Sequence, residues 1–393
     1  MNRISAIQSD TPTAREFPIR ELARIPKGAP LLKRVTEYCK RWWQVVIEDG
    51  LIWRAREAKF FELMGGHIFF QALSAGVEFD IFNLIARSER MSEEQIAFAL
   101  KLDQQACRIL LLTLTTAKLV RRSRQGAYSL TSIAKRYLLS DSTWKYSDCV
   151  RWQNHINYRA MGHFKDALVQ NTNSGLSEIA GDEPTLYQRL VHQPHLEKIF
   201  QSAMQEISAQ GNQSLTTSLE FENVQNLVDV GGGNATNIIA IAKKYPHIHA
   251  RVFDFPSVCD IASENIAKHG LQDRLGAVPG NIFQDALPTG ADCVIFCHFF
   301  TIWSKEERVA LLRKAYEVLP IGGRAMIFNM MQWDNRTGPH TAAIGSPYFL
   351  TLATGRGMLY CWNEYENDFK EVGFKRITRT RLPRDHGLIV GIK

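Results

Sequence analysis

Apolar and polar positions follow two different rhythms along the chain. Over Leu31 to Phe61, Tyr38, Trp42, Val46 and Leu51 recur near one side of a helical pitch, with Lys40, Arg41, Glu48 and Asp49 elsewhere, which predicts an amphipathic helix. Residues 1–30 before it are polar and broken by Pro12, Pro18, Pro26 and Pro30, which predicts an extended arm. Phe69–Ile85 reads as one helix. Ser92, with Gln95 three residues later, has the pattern of a capping box and opens a helix over Glu93–Leu100. Asp103 starts another over Gln104–Ala117, apolar at Cys107, Leu110, Leu111 and Leu114. Leu119–Arg122 and Ala127–Thr131 then predict a short hairpin around Gln125-Gly126.

Helix, helix and hairpin make a winged-helix pattern, which raises nucleic-acid binding as a reading. The second helix offers only Lys101, Arg108 and Lys118 and no dense polar face, so a dimerisation or packing module is preferred and no nucleic acid is expected. Helical connectors follow over Trp152–Val169, Thr185–Leu190 and His195–Leu219. From Asn226 the rhythm changes to short apolar runs between amphipathic helices. The runs are Leu227–Val230, Ala250–Phe253, Leu275–Val278, Cys293–Cys297, Ala325–Met331 and Leu388–Ile392, the signature of a parallel sheet flanked by helices.

Composition narrows the class. The 393 residues are 45% hydrophobic and 22% charged, enough to bury a sizeable core. No uncharged apolar run approaches the roughly 18–20 residues of a membrane span. The richest stretch, 291–303, is interrupted by Asp292 and His298. A basic, tryptophan-bearing helix such as 31–61 could lie on a membrane surface, but packing on a domain or partner chain is the preferred reading and no membrane partner is expected. The N-terminus lacks a signal-peptide core. The seven cysteines are scattered without a Cys-x-x-Cys pair, which excludes a disulfide framework and a zinc ribbon and leads us to expect a cytoplasmic protein. A net charge of +7 permits anionic substrates without demonstrating them.

The sharpest chemical signal is Asn-Leu-Val-Asp-Val-Gly-Gly-Gly-Asn-Ala-Thr at 226–236. A strand runs into Gly231, Gly232 and Gly233 and then into a helix, so backbone can approach a ligand and free N–H groups face it. Asp229, just before the glycines, is placed to bind a cation such as an amino acid's ammonium group. Asp254 ends the next strand, 21 residues after Gly233, where an acid can accept ribose hydroxyls. The loop has neither Gly-Lys-Ser/Thr nor a third glycine at position 236, which is threonine. An acid ahead of the glycines and no pyrophosphate cradle point to S-adenosylmethionine.

From about residue 60 onward the chain resembles the class I O-methyltransferases of the plant caffeate and hydroxyindole type, which occur widely in bacterial natural-product pathways. The matching texts are Leu-Val-Asp-Val-Gly-Gly-Gly (227–233), Val-Phe-Asp-Phe-Pro-Ser-Val (252–258), Pro-Gly-Asn-Ile-Phe (279–283), Trp-Ser-Lys-Glu-Glu (303–307) and Gly-Gly-Arg (322–324). Residues 195–203 and 158–168 look like the family's connector helices. The resemblance implies an α/β fold, a mostly parallel, seven-stranded Rossmann-like methyltransferase sheet preceded by an all-α winged-helix dimerisation domain closed by the hairpin, and a homodimer. The implied divisions are an arm and helix (1–60), the dimerisation domain (61–150), connectors lining the substrate pocket (151–220) and the cofactor domain (221–393). The cofactor-binding set it implies is Asp229, Gly231, Gly233, Asp254, Phe255, Asn281, Ile282 and Cys297; Asn281 stands where relatives usually carry Asp.

The same resemblance marks a departure. Relatives read His-Asp-Trp-Ser after the fourth strand, and that His is the general base. Here the text is Phe300-Thr301-Ile302-Trp303-Ser304, so Thr301 occupies the base position, and a threonine hydroxyl does not collect a proton near neutral pH. Asn329 and Leu359 (or Met358) fall where the two orienting acids are expected. Three explanations follow: an acceptor that needs little deprotonation, such as an acidic phenol or an electron-rich carbon; a different base, His298 or His155; or a bound cofactor acting electrostatically without methyl transfer. The expected catalytic candidates are therefore His155, His298 and Thr301. The preferred reading is methyl transfer from S-adenosylmethionine to a small, planar aromatic or polyketide-like acceptor. The alternatives are a non-methylating enzyme of the same fold and a ligand-sensing winged-helix regulator.

Overall fold

The computed structural model describes residues 30–44 and 53–393. They fall into two compact units, one ending at Ala72 and the other running from Leu73 to Lys393. The first contains helices Leu31–Trp42 and Trp53–Met64. The expected arm, and the middle of the predicted 31–61 helix, lie outside the described residues.

The predicted Phe69–Ile85 helix is two helices, Gly66–Glu78 and Ile81–Ser88. Asp80 breaks them apart with a left-handed backbone (φ 55°), a conformation that Asp tolerates better than most residues, and its carboxylate accepts from Asn83. No single helix among the described residues is long and apolar enough to cross a membrane. This bent pair passes on length and composition, but its Ile81, Phe82 and Ile85 are core residues. The Ser92/Gln95 capping box forms as its spacing predicts. Helix Gln104–Thr116 follows, then a hairpin of β1 (Val120–Arg122) and β2 (Tyr128–Leu130).

The connector departs most from its periodicity. In place of one helix over 152–169 there are Ser147–Trp152, a π-turn Gln153–Asn157, Tyr158–Ala160, a 3-10 turn Met161–His163 and Phe164–Gln170. The apolar spacing of a π-turn differs from that of an α-turn by one residue, so a 3.6-residue template reads through it. The long helix Pro194–Leu215 opens on proline, whose missing N–H is no loss at that position.

The main sheet has seven strands in the order β5-β4-β3-β6-β7-β9-β8. They are β3 (Asn226–Val230), β4 (His249–Asp254), β5 (Leu275–Pro279), β6 (Cys293–Cys297), β7 (Arg324–Met330), β8 (Arg376–Arg381) and β9 (His386–Ile392). β3 to β7 pair in parallel, whereas β9 is antiparallel to both β7 and β8. β8 is the strand that apolar runs do not reveal: Arg-Ile-Thr-Arg-Thr-Arg lies at the edge with most of its side chains in solvent. The central strands are mostly apolar because both faces are covered. Val228, Val294 and Phe296 pack towards Leu311, Leu312 and Phe369, and Leu227, Cys293 and Ile295 pack towards Ile238, Ile241 and Ala262. Strand order reverses between β3 and β6, and in open α/β sheets the ligand crevice lies at the carboxyl ends of such a switch point.

Candidate functional site

The glycine turn after β3 is built for close backbone approach. Gly231 and Gly233 are left-handed (φ 68° and 56°). A Cβ on Gly231 would strike the Phe299 ring, whereas the corresponding space at Gly233 is open. A Cβ on Gly232 would come within 2.7 Å of Asp229 Oδ2, so the turn is folded down onto that carboxylate. Asn234 Oδ1 accepts from Thr236 N at 3.3 Å and from its hydroxyl at 2.6 Å, starting the helix Thr236–Lys244 with its amide end behind the glycines.

Asp254 ties the second strand to this turn. Its Oδ2 accepts from Gly233 N at 3.0 Å and its Oδ1 from Phe255 N at 2.7 Å. Burial pushes its carboxyl above the usual range, while those two amides pull it back. Phe255 is exposed beside it. In the next loop, Asn281 Oδ1 accepts from Phe283 N at 3.0 Å, which leaves its NH2 group uncommitted to that turn. Ile282 is buried below, and Phe283 packs edge-on against Trp303 with ring centroids 4.7 Å apart.

Asp229 and Cys297 differ in placement from the other expected cofactor residues. Asp229 is fully buried, and its Oδ2 accepts from Asn237 Nδ2 at 3.2 Å. Burial, reinforced by the nearby Asp254 charge and opposed by the Asn237 hydrogen bond, pushes its carboxyl up to about 7. Asp229 lies directly beneath the glycine turn, with the buried Cys297 thiol at its side.

The three catalytic candidates do not converge. Thr301 is buried in the turn Phe300–Ile302 and its hydroxyl donates to the His298 carbonyl at 3.3 Å, so the group at the usual base position is spoken for by its own turn. His298 leaves β6 with a left-handed backbone (φ 52°), and its N–H donates to the Phe328 carbonyl at 2.8 Å. Its ring lies against Phe328 and His386, with Nε2 buried and unpartnered. Burial, reinforced by His386, pushes its imidazole down to about 3. His155 sits elsewhere, on the π-turn Gln153–Asn157, with Nε2 3.4 Å from Glu78 Oε1. Asn329 is buried, with Oδ1 accepting from Met330 N at 2.9 Å and Nδ2 3.4 Å from the Tyr365 hydroxyl; Leu359 is buried too.

An aromatic region borders this turn. Thr354 Oγ1 donates to the Ile302 carbonyl at 2.6 Å, and a Cβ on Gly357 would overlap the Thr301 carbonyl. The chain just before them is a second π-turn, Phe349–Ala353. Trp152 and Tyr348, each immediately ahead of a π-turn, meet edge-on with ring centroids 5.0 Å apart. π-turns inside helices occur frequently at functional sites. Leu176, Leu186, Phe200 and Met204 complete a mainly apolar cluster around this pair. The only signal for it in the sequence is the density of aromatic residues. Among the described residues no group of three His, Cys, Asp or Glu could hold a metal ion.

Comparison with known proteins agrees with this geometry. Residues 162–375 match the family model of the O-methyltransferase domain, and residues 61–140 that of the O-methyltransferase dimerisation domain. The L-tyrosine C(3)-methyltransferase of Streptomyces lavendulae is 35% identical over 349 residues, 88% of this chain and 93% of its own. The 3-hydroxy-5-methyl-1-naphthoate 3-O-methyltransferase of Streptomyces sahachiroi is 26% identical, covering 82% of this chain and 91% of its own. Among solved structures, the S-adenosylmethionine-dependent methyltransferase SibL in its apo form superposes with a TM-score of 0.74 at 34% identity, over 84% of this chain and 98% of its own. Human N-acetylserotonin methyltransferase in complex with its cofactor shares the fold, with a TM-score of 0.77 at 21% identity over 86% and 97% of the two chains.

Proposed function

The chain belongs to the O-methyltransferase family and is an S-adenosylmethionine-dependent methyltransferase, and from that premise we propose that it methylates a ring carbon beside the hydroxyl of a small phenolic acceptor in secondary metabolism. The observation that carries the choice of carbon is Thr301: at the usual base position stands a hydroxyl already donated to the His298 carbonyl. A carbon ortho to a phenol oxygen is electron-rich, so alignment with the methyl group does most of the work, and the proton displaced from that carbon leaves to water as the ring regains aromaticity. The 35%-identical relative, named for methylating C3 of L-tyrosine, points to the same acceptor class. His298 does not serve as a base on this reading, because an imidazole held at about 3 takes up almost no proton at neutral pH.

The residues present fit the cofactor. Gly233 leaves space for close backbone approach, Asp254 still has lone pairs for a ribose diol, Asn281 and Ile282 edge the place for adenine, and Phe299 closes the floor over Gly231. When bound, S-adenosylmethionine supplies an electrophilic methyl group on a cationic sulfur. Trp152, Tyr348 and Phe349 supply flat surfaces for the acceptor ring and keep water away. The dimerisation domain supports a homodimer, and we place the enzyme in the cytoplasm on its scattered free cysteines.

The test is incubation with labelled cofactor and L-tyrosine or simple phenols. Release of S-adenosylhomocysteine with a new aryl C–CH3 signal in the product NMR spectrum is expected. An aryl methyl ether as the product would remove the carbon assignment, and product formed without cofactor consumption would favour a non-methylating enzyme.

Asp229 adds a pH signature. In the empty protein its carboxyl takes up a proton as pH falls through about 7, and a cationic ligand favours the ionised form. Cofactor binding at pH 6 is therefore expected to release close to one proton. Its dissociation constant should rise by up to about tenfold for each unit below 7 and level off above. Calorimetry in buffers of different ionisation heat reads both quantities; equal heats and a flat pH profile would contradict the role of Asp229.

A further inference from the structure

The turn between β8 and β9 has an unusual backbone. Leu382 N donates to the His386 carbonyl at 2.9 Å, and the two residues at the tip, Arg384 and Asp385, are both left-handed (φ 60° and 59°). Register leaves Pro383, Arg384 and Asp385 as a three-residue loop, and within it His386 N donates to the Pro383 carbonyl at 3.4 Å around two left-handed residues, a backbone that Asn and Gly tolerate better than Arg or Asp. Strained backbone persists where the surroundings over-determine it, and such positions gather at functional sites.

Here each tip side chain is engaged outside the hairpin. The Arg384 guanidinium lies 3.4 Å from the centre of the Trp144 ring and donates to Gln210 Oε1 at 2.8 Å, on the Pro194–Leu215 helix. Gln210 Nε2 in turn donates to the Thr143 carbonyl at 3.2 Å. Asp385 Oδ2 accepts from the Thr341 hydroxyl at 2.8 Å, on the His340–Tyr348 helix, and its carbonyl accepts from Met331 N at 2.8 Å. The His386 ring stacks on Phe328 and meets His298 edge-on at 5.2 Å. Four regions therefore meet at one turn: the chain around Trp144, the long connector helix, the helix that ends in Tyr348, and the exit of β6.

We propose that the Pro383–His386 turn is a positioning latch for methyl transfer, in which Arg384 and Asp385 hold the Pro194–Leu215 and His340–Tyr348 helices, and through them the Trp152/Tyr348 surface, in register with the cofactor-side strand ends. Neither residue touches the aromatic surface itself. The effect travels through Thr341 to Tyr348 and the Phe349–Ala353 turn, and through Gln210 along the helix that carries Phe200 and Met204. The kinetic part of this inference rests on the acceptor site proposed above; the structural part does not.

The double substitution R384N/D385G installs residues that tolerate this backbone, so acceptor turnover and amide exchange, rather than melting temperature, separate the two roles. A plain connecting turn would leave both unchanged. A latch predicts kcat/KM for the acceptor at least tenfold lower, and a cofactor dissociation constant within about twofold of the parent. Amide hydrogen exchange over residues 340–353 should speed up with no substrate present, which reads the latch even if the acceptor class is wrong. A narrower pair checks the link: Thr341→Val should lose acceptor kcat/KM while Thr341→Ser, which keeps the hydroxyl, restores it. Unchanged kcat/KM and exchange in R384N/D385G would overturn the proposal. So would a large fall in melting temperature that carries cofactor binding down with it, because the turn would then serve the whole fold.

Discussion

Asp254→Ala is expected to weaken S-adenosylmethionine binding by a hundredfold or more, a loss of about 2.7 kcal/mol at that limit. Two effects add. The side chain now accepts from Gly233 N at 3.0 Å and Phe255 N at 2.7 Å, so its removal frees the glycine turn from β4. On the proposed cofactor placement the same oxygens accept from the ribose, and hydrogen bonds to a charged acceptor contribute roughly 1.5–3 kcal/mol each. Asp254→Asn is informative beside it, since the amide keeps one acceptor but loses the charge, and an intermediate loss is expected. Calorimetric affinities for the three proteins decide the matter. Binding within threefold of the parent in Asp254→Ala would mean that the ribose sits elsewhere.

The second large effect concerns stability. Arg308 and Asp368 form an ion pair buried on both sides, Nε to Oδ2 2.8 Å, joining helices Lys305–Val318 and Trp362–Val372 behind the sheet. The guanidinium carbon lies 3.6 Å from the centre of the Tyr360 ring, and Nη1 has no partner. Asp368→Ala leaves a cation in the core with nothing to balance it, and a destabilisation of about 3–5 kcal/mol is expected. The double variant Arg308→Met/Asp368→Leu should recover most of that loss, because two apolar side chains of similar volume remove the uncompensated charge altogether. Urea unfolding followed by circular dichroism measures both. Equal losses in the single and double variants would show that packing volume, and not charge, matters here.

What the sequence disclosed follows from which forces act locally. The glycine turn, the acid at Asp254 and the central strands β3, β4 and β6 are legible because backbone conformation and two-sided burial impose residue types directly. The Ser92/Gln95 cap is legible for the same reason. β8 is hidden because an edge strand needs little apolar surface, and its alternation of arginine with isoleucine and threonine carries no buried run. The π-turns after Trp152 and Tyr348 are hidden because their extra residue is fixed by tertiary packing. The catalytic candidates show a different limit. Position identifies Thr301, but only the folded turn shows its hydroxyl spent on the His298 carbonyl, and only burial shows His298 to be so weak a base. The sequence marks Asp229 as a partner for a cation, but only the fold shows it buried under the turn, where Gly232 has no side chain to hold the loop away from it.

The outer strand β8 carries a further consequence. An open row of amide and carbonyl groups invites another chain to add itself, and a flat apolar edge would seed fibrils. β8 presents Arg376 and Arg381 to solvent, so a second copy approaching edge to edge meets like charge. At the opposite margin β5 is a mere five residues and ends in Pro279, which has no amide proton to offer a newcomer. Concentrated preparations should therefore resist amyloid-type aggregation at both rims of the sheet, which leaves the helical module free to govern how copies associate.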